Sequence, residues 1–259
     1  MSDRRDVPTV LDELAKASKK RAEDLKSSVD VERLRELAAR FQKRDFTAAL
    51  KAPGLSVISE IKRASPSVGF IREANPKEQA EIYADEGAAC LSVLTEPERF
   101  KGSLEDLDAA RNAVGIPVIR KDFTADEVQI IEAATRADAV LLIVALFDAP
   151  TLARYIELAG EVGMTALVEV HDEREAEVAL RAGAEVVGVN NRDLRDFTVD
   201  LATFERLSPL LAGKLRIAES GITSVEDARR MREAGADAVL VGEAAMRQAG
   251  LVAGISALL

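Results

Sequence analysis

The stretch Ala139-Val140-Leu141-Leu142-Ile143-Val144-Ala145-Leu146 is apolar throughout, with no alternation between apolar and polar residues. A strand with one wet face alternates. One written almost entirely in Val, Ile and Leu is buried on both faces, which implies a parallel sheet covered by helices. Seven other short aliphatic runs resemble it, so strand-like cores begin near Ser56, Cys90, Pro117, Ala139, Thr165, Val186, Leu215 and Ala238, at intervals of 21 to 34 residues. Helix-start signals fall between them: Asn75-Pro76 with Glu78, Ser103 with Asp106, Asp148, Asp172 with Glu175, Asp200, and Ser224 with Asp227. Gly87, Gly115, Gly163, Gly183 and Gly235 stand where a left-handed residue ends a helix. Eight strand-helix units predict an α/β fold, a closed (β/α)8 TIM barrel, with a doubly wound open sheet as the alternative.

The first fifty residues read as helical. Thr9 and Asp12 have capping-box spacing before a stripe of Leu11, Leu14, Ala15, Ala22 and Leu25, with Ser18 on the same face. Leu34, Leu37, Ala38 and Phe41 form a second stripe, and Ser27-Ser28 mark a break between the two. No composition shift or linker divides the rest of the 259 residues. The expectation is therefore a single domain over 1–259, with 1–50 as an N-terminal helical extension packed on the barrel.

Composition excludes several classes of function. A net charge of −10 argues against nucleic acid and anionic membranes as partners. No apolar run approaches the roughly 18 residues of a membrane span, and Met1-Ser2-Asp3-Arg4-Arg5-Asp6 is not followed by an apolar secretory segment, so a cytoplasmic location is expected. One cysteine, Cys90, excludes an intrachain disulfide and argues against a Cys-based zinc site, one histidine, His171, argues against a multi-His metal site, and Cys90 is assigned to packing.

In such a barrel the active site lies at the C-terminal ends of the strands, so what each run ends on is decisive. The ends read Glu60 and Lys62, Thr95, Lys121, an apolar fourth strand, Glu169, Asn190 and Arg192, Glu219 and Ser220, then Gly242 and Glu243. In Leu55-Ser56-Val57-Ile58-Ser59-Glu60-Ile61-Lys62, alternation puts Ser56, Ile58, Glu60 and Lys62 on one face. Burial of that charge pair for stability alone is unfavourable, which points to chemistry; a solvated charged loop is the alternative. Lys121 shares a face with Ile119, and Glu169 with Leu167, so both project into the mouth. There a Lys and a Glu can divide acid and base work, or form a structural salt bridge. His171 follows Glu169 on the same side and reads as a rim residue, with a proton carrier as the alternative.

Ser220-Gly221 and Gly242 precede helix starts on the last two strands, the usual barrel position for a phosphate. Residues 63–75 make a connection of thirteen residues containing Ser65, Pro66, Gly69 and Phe70, and a second long one, 95–102, carries Phe100. Both exceed the usual ~2–6 residues and read as binding loops or a lid, with Pro66 and the phenylalanines able to wall an aromatic substrate.

The phrases Glu60-Ile61-Lys62-Arg63-Ala64-Ser65-Pro66-Ser67, Arg120-Lys121-Asp122-Phe123, Leu167-Val168-Glu169-Val170-His171-Asp172, Gly188-Val189-Asn190-Asn191-Arg192-Asp193-Leu194, Glu219-Ser220-Gly221-Ile222 and Val241-Gly242 with Met246-Arg247 closely resemble the indole-3-glycerol-phosphate synthase family, in order and over essentially the whole chain. The resemblance implies a (β/α)8 enzyme of tryptophan biosynthesis. Such an enzyme converts 1-(2-carboxyphenylamino)-1-deoxyribulose 5-phosphate into indole-3-glycerol phosphate with loss of CO2 and water, without metal or organic cofactor. It implies that Lys121 is the general acid at the ribulose carbonyl and that Glu169 is the second acid/base group, with Asn190 beside it. Lys62 would hold the anthranilate carboxylate and Glu60 would orient Lys62. The phosphate is expected against Ser65, Ser220, Gly221 and Gly242, and the ring against Pro66, Phe100, Phe123, Leu194 and Leu240, with Arg192 and Glu219 as further substrate contacts. A phosphorylated small molecule is the expected partner, and a monomer the expected state.

Two details depart from the family pattern. Glu132-Ala133-Ala134-Thr135-Arg136-Ala137 is one residue short and lacks the helix-ending Gly, and Glu243 stands after Gly242 where a Ser would add a phosphate bond. The rival readings are phosphoribosylanthranilate isomerase, a Schiff-base aldolase using Lys121, and a catalytically silent barrel that binds phosphorylated metabolites. The isomerase begins with a strand bearing a Cys, whereas the first strand here ends on Glu60 and Lys62.

Overall fold

The computed structural model describes residues 9–193 and 197–258. Eight parallel strands close on themselves in chain order: β1 Ser56–Ile61, β2 Cys90–Leu94, β3 Val118–Lys121, β4 Ala139–Ile143, β5 Thr165–Val170, β6 Val186–Asn190, β7 Leu215–Glu219 and β8 Ala238–Val241. Closure runs through Ser56–Ala238 and Ile58–Leu240 pairing between β1 and β8. Alternation along each strand sorts the core into two parts. Ile58, Cys90, Ile119, Leu141, Leu167, Ile217 and Leu240 fill the barrel interior, while Val57, Leu91, Val118, Leu142, Val168, Val187, Ala218 and Val239 face the helix ring.

The ring is formed by α4 Pro76–Asp85, α5 Leu104–Ala113, α6 Glu127–Ala133, α7 Ala149–Glu161, α8 Glu173–Arg181, α9 Ala202–Leu207, α10 Val225–Glu233, α11 Glu243–Arg247 and α12 Leu251–Ser256. Asn75, Ser103, Asp148, Asp172 and Ser224 cap their helices as expected. Asp200 instead lies one residue ahead of the cap position of α9 and accepts from the Ala202 N–H at 2.9 Å. Gly87, Gly163, Gly183 and Gly235 have positive φ, but Gly115 does not, because α5 leaves through an extended Val114. The short segment after α6 needs no glycine. Thr135, Arg136 and Ala137 donate back to Glu132, Ala133 and Ala133, so the chain closes in right-handed turns.

Before β1 come α1 Thr9–Ser28, α2 Val31–Arg40 and α3 Phe46–Leu50. Leu11 and Leu14 of α1 are buried at the barrel mouth, and Arg21 reaches Asp122 at 2.7 Å. Phe46 and Leu50 of α3 plug the opposite end, beneath Cys90 and Ser56. The second stripe expected from sequence is only partly buried: Leu37 is 41% exposed, and Phe41 lies past α2 in extended backbone with Lys43 and Arg111 over its ring. Among the described residues, no helix is long and apolar enough to cross a membrane.

Candidate active site

The C-terminal strand ends open into a cavity of about 440 Å³. Its floor is Leu141, Ile143 and Leu240, and α1 contributes Val10, Leu11 and Leu14 to the wall. The inward face of β1 delivers Glu60, 3% exposed, and Lys62 continues it, with Lys62 Nζ 2.8 Å from Glu60 Oε1. Ser92 on β2 donates to the other Glu60 oxygen at 3.1 Å, which fixes the carboxylate from behind. Lys121 closes β3, and its ammonium donates to Glu169 Oε2 at 2.8 Å and to Glu219 Oε2 at 2.7 Å. Asn190 Nδ2 donates to Glu169 Oε1 at 3.1 Å. Residues far apart in the chain thus form one polar cluster above an aliphatic floor.

Charge in this cluster is tightly balanced. Burial opposes the Lys121 ammonium, but Glu169, Glu219 and Glu60 outweigh it and hold the group above the usual lysine range. Burial likewise opposes the Glu169 carboxylate, and Lys121 with His171 overcomes that and holds it well below the usual range. Glu219 behaves the other way. Burial, reinforced by the charges of Glu169 and Glu60, pushes it up to about 7 against the pull of Lys121. Two carboxylates on one ammonium therefore differ in acidity, the separation expected of groups with different protonic duties.

The remaining expected residues line the same cavity: Ser65, Pro66, Phe100, Phe123, Arg192, Ser220, Gly221, Leu240 and Gly242. Leu194 lies outside the described residues. The rings of Phe100 and Phe123 pack with centroids 5.9 Å apart. Phe70 does not join them: the loop 63–75 folds into a small antiparallel hairpin, Ala64–Ser65 with Gly69–Phe70, and leaves Phe70 60% exposed. Arg63 anchors both long loops, pairing with Asp106 at 2.5 and 2.9 Å and donating to the carbonyls of Ala74 and Lys101. Glu96, fully buried, accepts from the N–H groups of Glu98, Arg99 and Phe100 and so fixes the second loop.

Where the phosphate is expected, Ser220 has φ of 63° and Gly221 of 81°. A non-glycine residue in that region is strained, and Asn191 holds it there by donating to the Ser220 carbonyl at 3.1 Å. A Cβ at Gly242 would lie 2.5 Å from Glu60 Oε1 and 3.0 Å from Lys62 Nζ, so only glycine lets β8 approach the β1 charge pair. Glu243 does not stand as an isolated charge there, because Arg247 Nε lies 3.2 Å from its carboxylate.

His171 is not a rim residue. Its side chain is 13% exposed, with Nδ1 2.9 Å from Glu175 Oε2 and Nε2 3.3 Å from Glu169 Oε1, an ionic contact outside hydrogen-bond geometry. Sequence reasoning also missed Phe197, Val199 and Arg247 as wall residues. Phe197 and Val199 come from the loop after β6 and Arg247 from the last residue of α11, none of which a strand register places. Cys90 is fully buried and its thiol is pushed up by burial, in keeping with packing.

A closed parallel barrel whose strand ends gather two ammoniums and three carboxylates around one cavity defines a (β/α)8-barrel enzyme. Solved structures agree on the fold. Thiamine phosphate pyrophosphorylase from Pyrococcus furiosus superposes with a TM-score of 0.58 at 17% identity, covering 80% of this chain and 95% of that one. The N-acetylmannosamine-6-phosphate 2-epimerase from Clostridium perfringens gives 0.59 at 14%, over 79% and 92%. A model of the indole-3-glycerol phosphate synthase family matches residues 11–258. Indole-3-glycerol phosphate synthase from Parafrankia sp. is 55% identical over 206 residues, 78% of this chain and 77% of its own length. That from Mycolicibacterium vanbaalenii is 49% identical over 239 residues, 91% and 88% of the two chains. The chain belongs to the indole-3-glycerol phosphate synthase family, and is a decarboxylating lyase of tryptophan biosynthesis.

Proposed function

We propose that this cavity performs ring closure, decarboxylation and dehydration of 1-(2-carboxyphenylamino)-1-deoxyribulose 5-phosphate through Lys121, Glu169 and Lys62. The observation that carries this reading is the Lys121 ammonium held between Glu169 and Glu219, in a cavity it shares with Lys62. An ammonium has three N–H donors. Two are used by the carboxylates, which leaves one for the ketone oxygen of the substrate. Attack of the aromatic carbon on that ketone turns its oxygen into an alkoxide, and Lys121 stabilises it and supplies the proton.

Lys62, braced by Glu60, holds the anthranilate carboxylate. Loss of CO2 restores aromaticity to the benzene ring. Dehydration follows, in which the hydroxyl leaves as water while a proton departs from the adjacent carbon that bears nitrogen. Glu169, oriented by Asn190, is the base of that step, and Lys62, still an ammonium once the carboxylate has left as CO2, protonates the leaving oxygen. The phosphate is read against Ser65, Ser220, Gly221 and Gly242, and the ring against Pro66, Phe100, Phe123 and Leu240, with Arg192 at the edge.

The same proposal takes residues 1–259 as one domain, supported by Leu11 and Leu14 of α1 in the cavity wall. It also takes the enzyme as a cytoplasmic monomer, supported by the supply of every named group from one chain. The test is fluorescence detection of indole-3-glycerol phosphate with Lys121→Ala and Glu169→Gln. A positioned acid or base contributes roughly 10²–10⁴-fold, so kcat is expected to fall by at least about 10²-fold in each while KM stays near wild type. Wild-type turnover by Lys121→Ala would remove the mechanism.

A further inference from the structure

Among the described residues Glu169 has three polar neighbours, two of which belong to the chemistry described above. Lys121 approaches Oε2 from β3 and Asn190 approaches Oε1 from β6. The third neighbour, His171, sits two residues beyond Glu169, with Nε2 3.3 Å from Oε1. The ring is locked from its far side. Glu175, in the first turn of α8, accepts from the His171 backbone N–H at 2.8 Å and lies 2.9 Å from Nδ1 through the same oxygen. Glu175 is itself buried and tied to the helix start by its own N–H, which donates to Asp172 Oδ1 at 2.9 Å. Carboxylate, imidazole and carboxylate thus form a line from the outer turn to the proposed catalytic base.

We propose that His171, fixed by Glu175, is a positioning residue that serves as the second counterion of Glu169 while Lys121 is without its proton. This rests on the reading of Lys121 and Glu169 as the acid and base. When Lys121 gives its proton to the ketone oxygen it becomes a neutral amine, and Glu169 loses the cation at 2.8 Å. A buried carboxylate with no cation takes up a proton and is then useless as the base for dehydration. A histidine set between two carboxylates keeps a proton on each nitrogen and holds Glu169 ionised through that interval.

Among the described residues, the line includes Glu169 and Glu175 on either side of the ring, Lys121 against Glu169, and Glu219 and Glu60 against Lys121. Burial opposes the imidazolium, yet the two flanking glutamates raise it to about 10, so it stays charged across the neutral range.

The experiment is the pH profile of kcat, followed by product fluorescence, for the full-length wild type, His171→Asn, Glu175→Gln and Glu169→Gln. His171→Asn is expected to lower kcat about tenfold or more, leave KM within about twofold, and move the acid limb up by about one pH unit or more, the usual effect of one adjacent charge. Glu175→Gln removes one flanking carboxylate, so His171 titrates nearer its ordinary value and kcat gains a new decline with rising pH in the neutral range. Should His171→Asn not fold, the Glu175→Gln profile decides. Losses of stability or of kcat with both profiles unmoved would overturn the proposal. An inactive Glu169→Gln beside an unmoved His171→Asn profile sinks the role of His171 alone, whereas a fully active Glu169→Gln sinks the reading beneath it.

Discussion

Gly188 on β6 and Glu219 on β7 are in such close apposition that a Cβ at position 188 would lie 1.9 Å from Glu219 Oε1. The absence of a side chain at 188 is what allows Glu219 to stay buried and reach Lys121. Gly188→Ala is therefore expected to displace the carboxylate, at a cost of about 1–3 kcal/mol for overpacking, and to lower kcat by leaving Lys121 with one acceptor. Thermal unfolding and turnover measured together check this. Unchanged values for both would mean that Glu219 has room to move without consequence.

Asn191 ties two elements to the site: it donates to the Ser220 carbonyl at 3.1 Å and accepts from the Phe204 N–H at 3.0 Å. Asn191→Ala leaves buried partners unsatisfied, a loss of about 1–3 kcal/mol, and lets Ser220 relax from its left-handed conformation. KM for the phosphorylated substrate should rise several-fold with a smaller change in kcat. A rise in KM of the same size for a substrate without phosphate would contradict the assignment of Ser220 to the anion.

Much of this architecture is legible in the residues. Aliphatic runs buried on both faces mark all eight strands, and inward alternation carries Glu60, Lys121, Glu169, Asn190 and Glu219 to one end. What register does not determine stays hidden. The Arg63–Asp106 staple joins two loops, Glu175 meets His171 only because the turn after β5 is tight, and Phe70 points outward because the long loop pairs with itself. The plug of α3 beneath the barrel has the same character, since a five-residue helix carries too little periodicity to be recognised.

Arg247 offsets the negative charge that Glu243 brings to the proposed anion side. Arg247→Ala should raise KM, and Glu243→Ser in the same background should restore it, so the double-mutant cycle has a non-zero coupling in KM. Additive effects would mean that the pair is irrelevant to the substrate.

His171 also links stability to pH. Its folded value of about 10 lies above its ordinary 6.5, so the stabilisation it brings is complete below about pH 6.5 and is lost as pH rises towards 10. The Tm difference between wild type and His171→Asn should be constant at pH 5–6 and shrink steadily above pH 7. A difference that grows with pH would show that the ring is held neutral.

The division of labour between Lys121 and Glu169 is tested most directly by measuring CO2 release beside product fluorescence in a single turnover. With Glu169→Gln, about one equivalent of CO2 is expected without indole fluorescence, because ring closure proceeds and dehydration stalls; with Lys121→Ala, neither signal is expected. Release of CO2 by Lys121→Ala at the wild-type rate, or no release by Glu169→Gln, would contradict the assignment of ring closure to the lysine and dehydration to the glutamate.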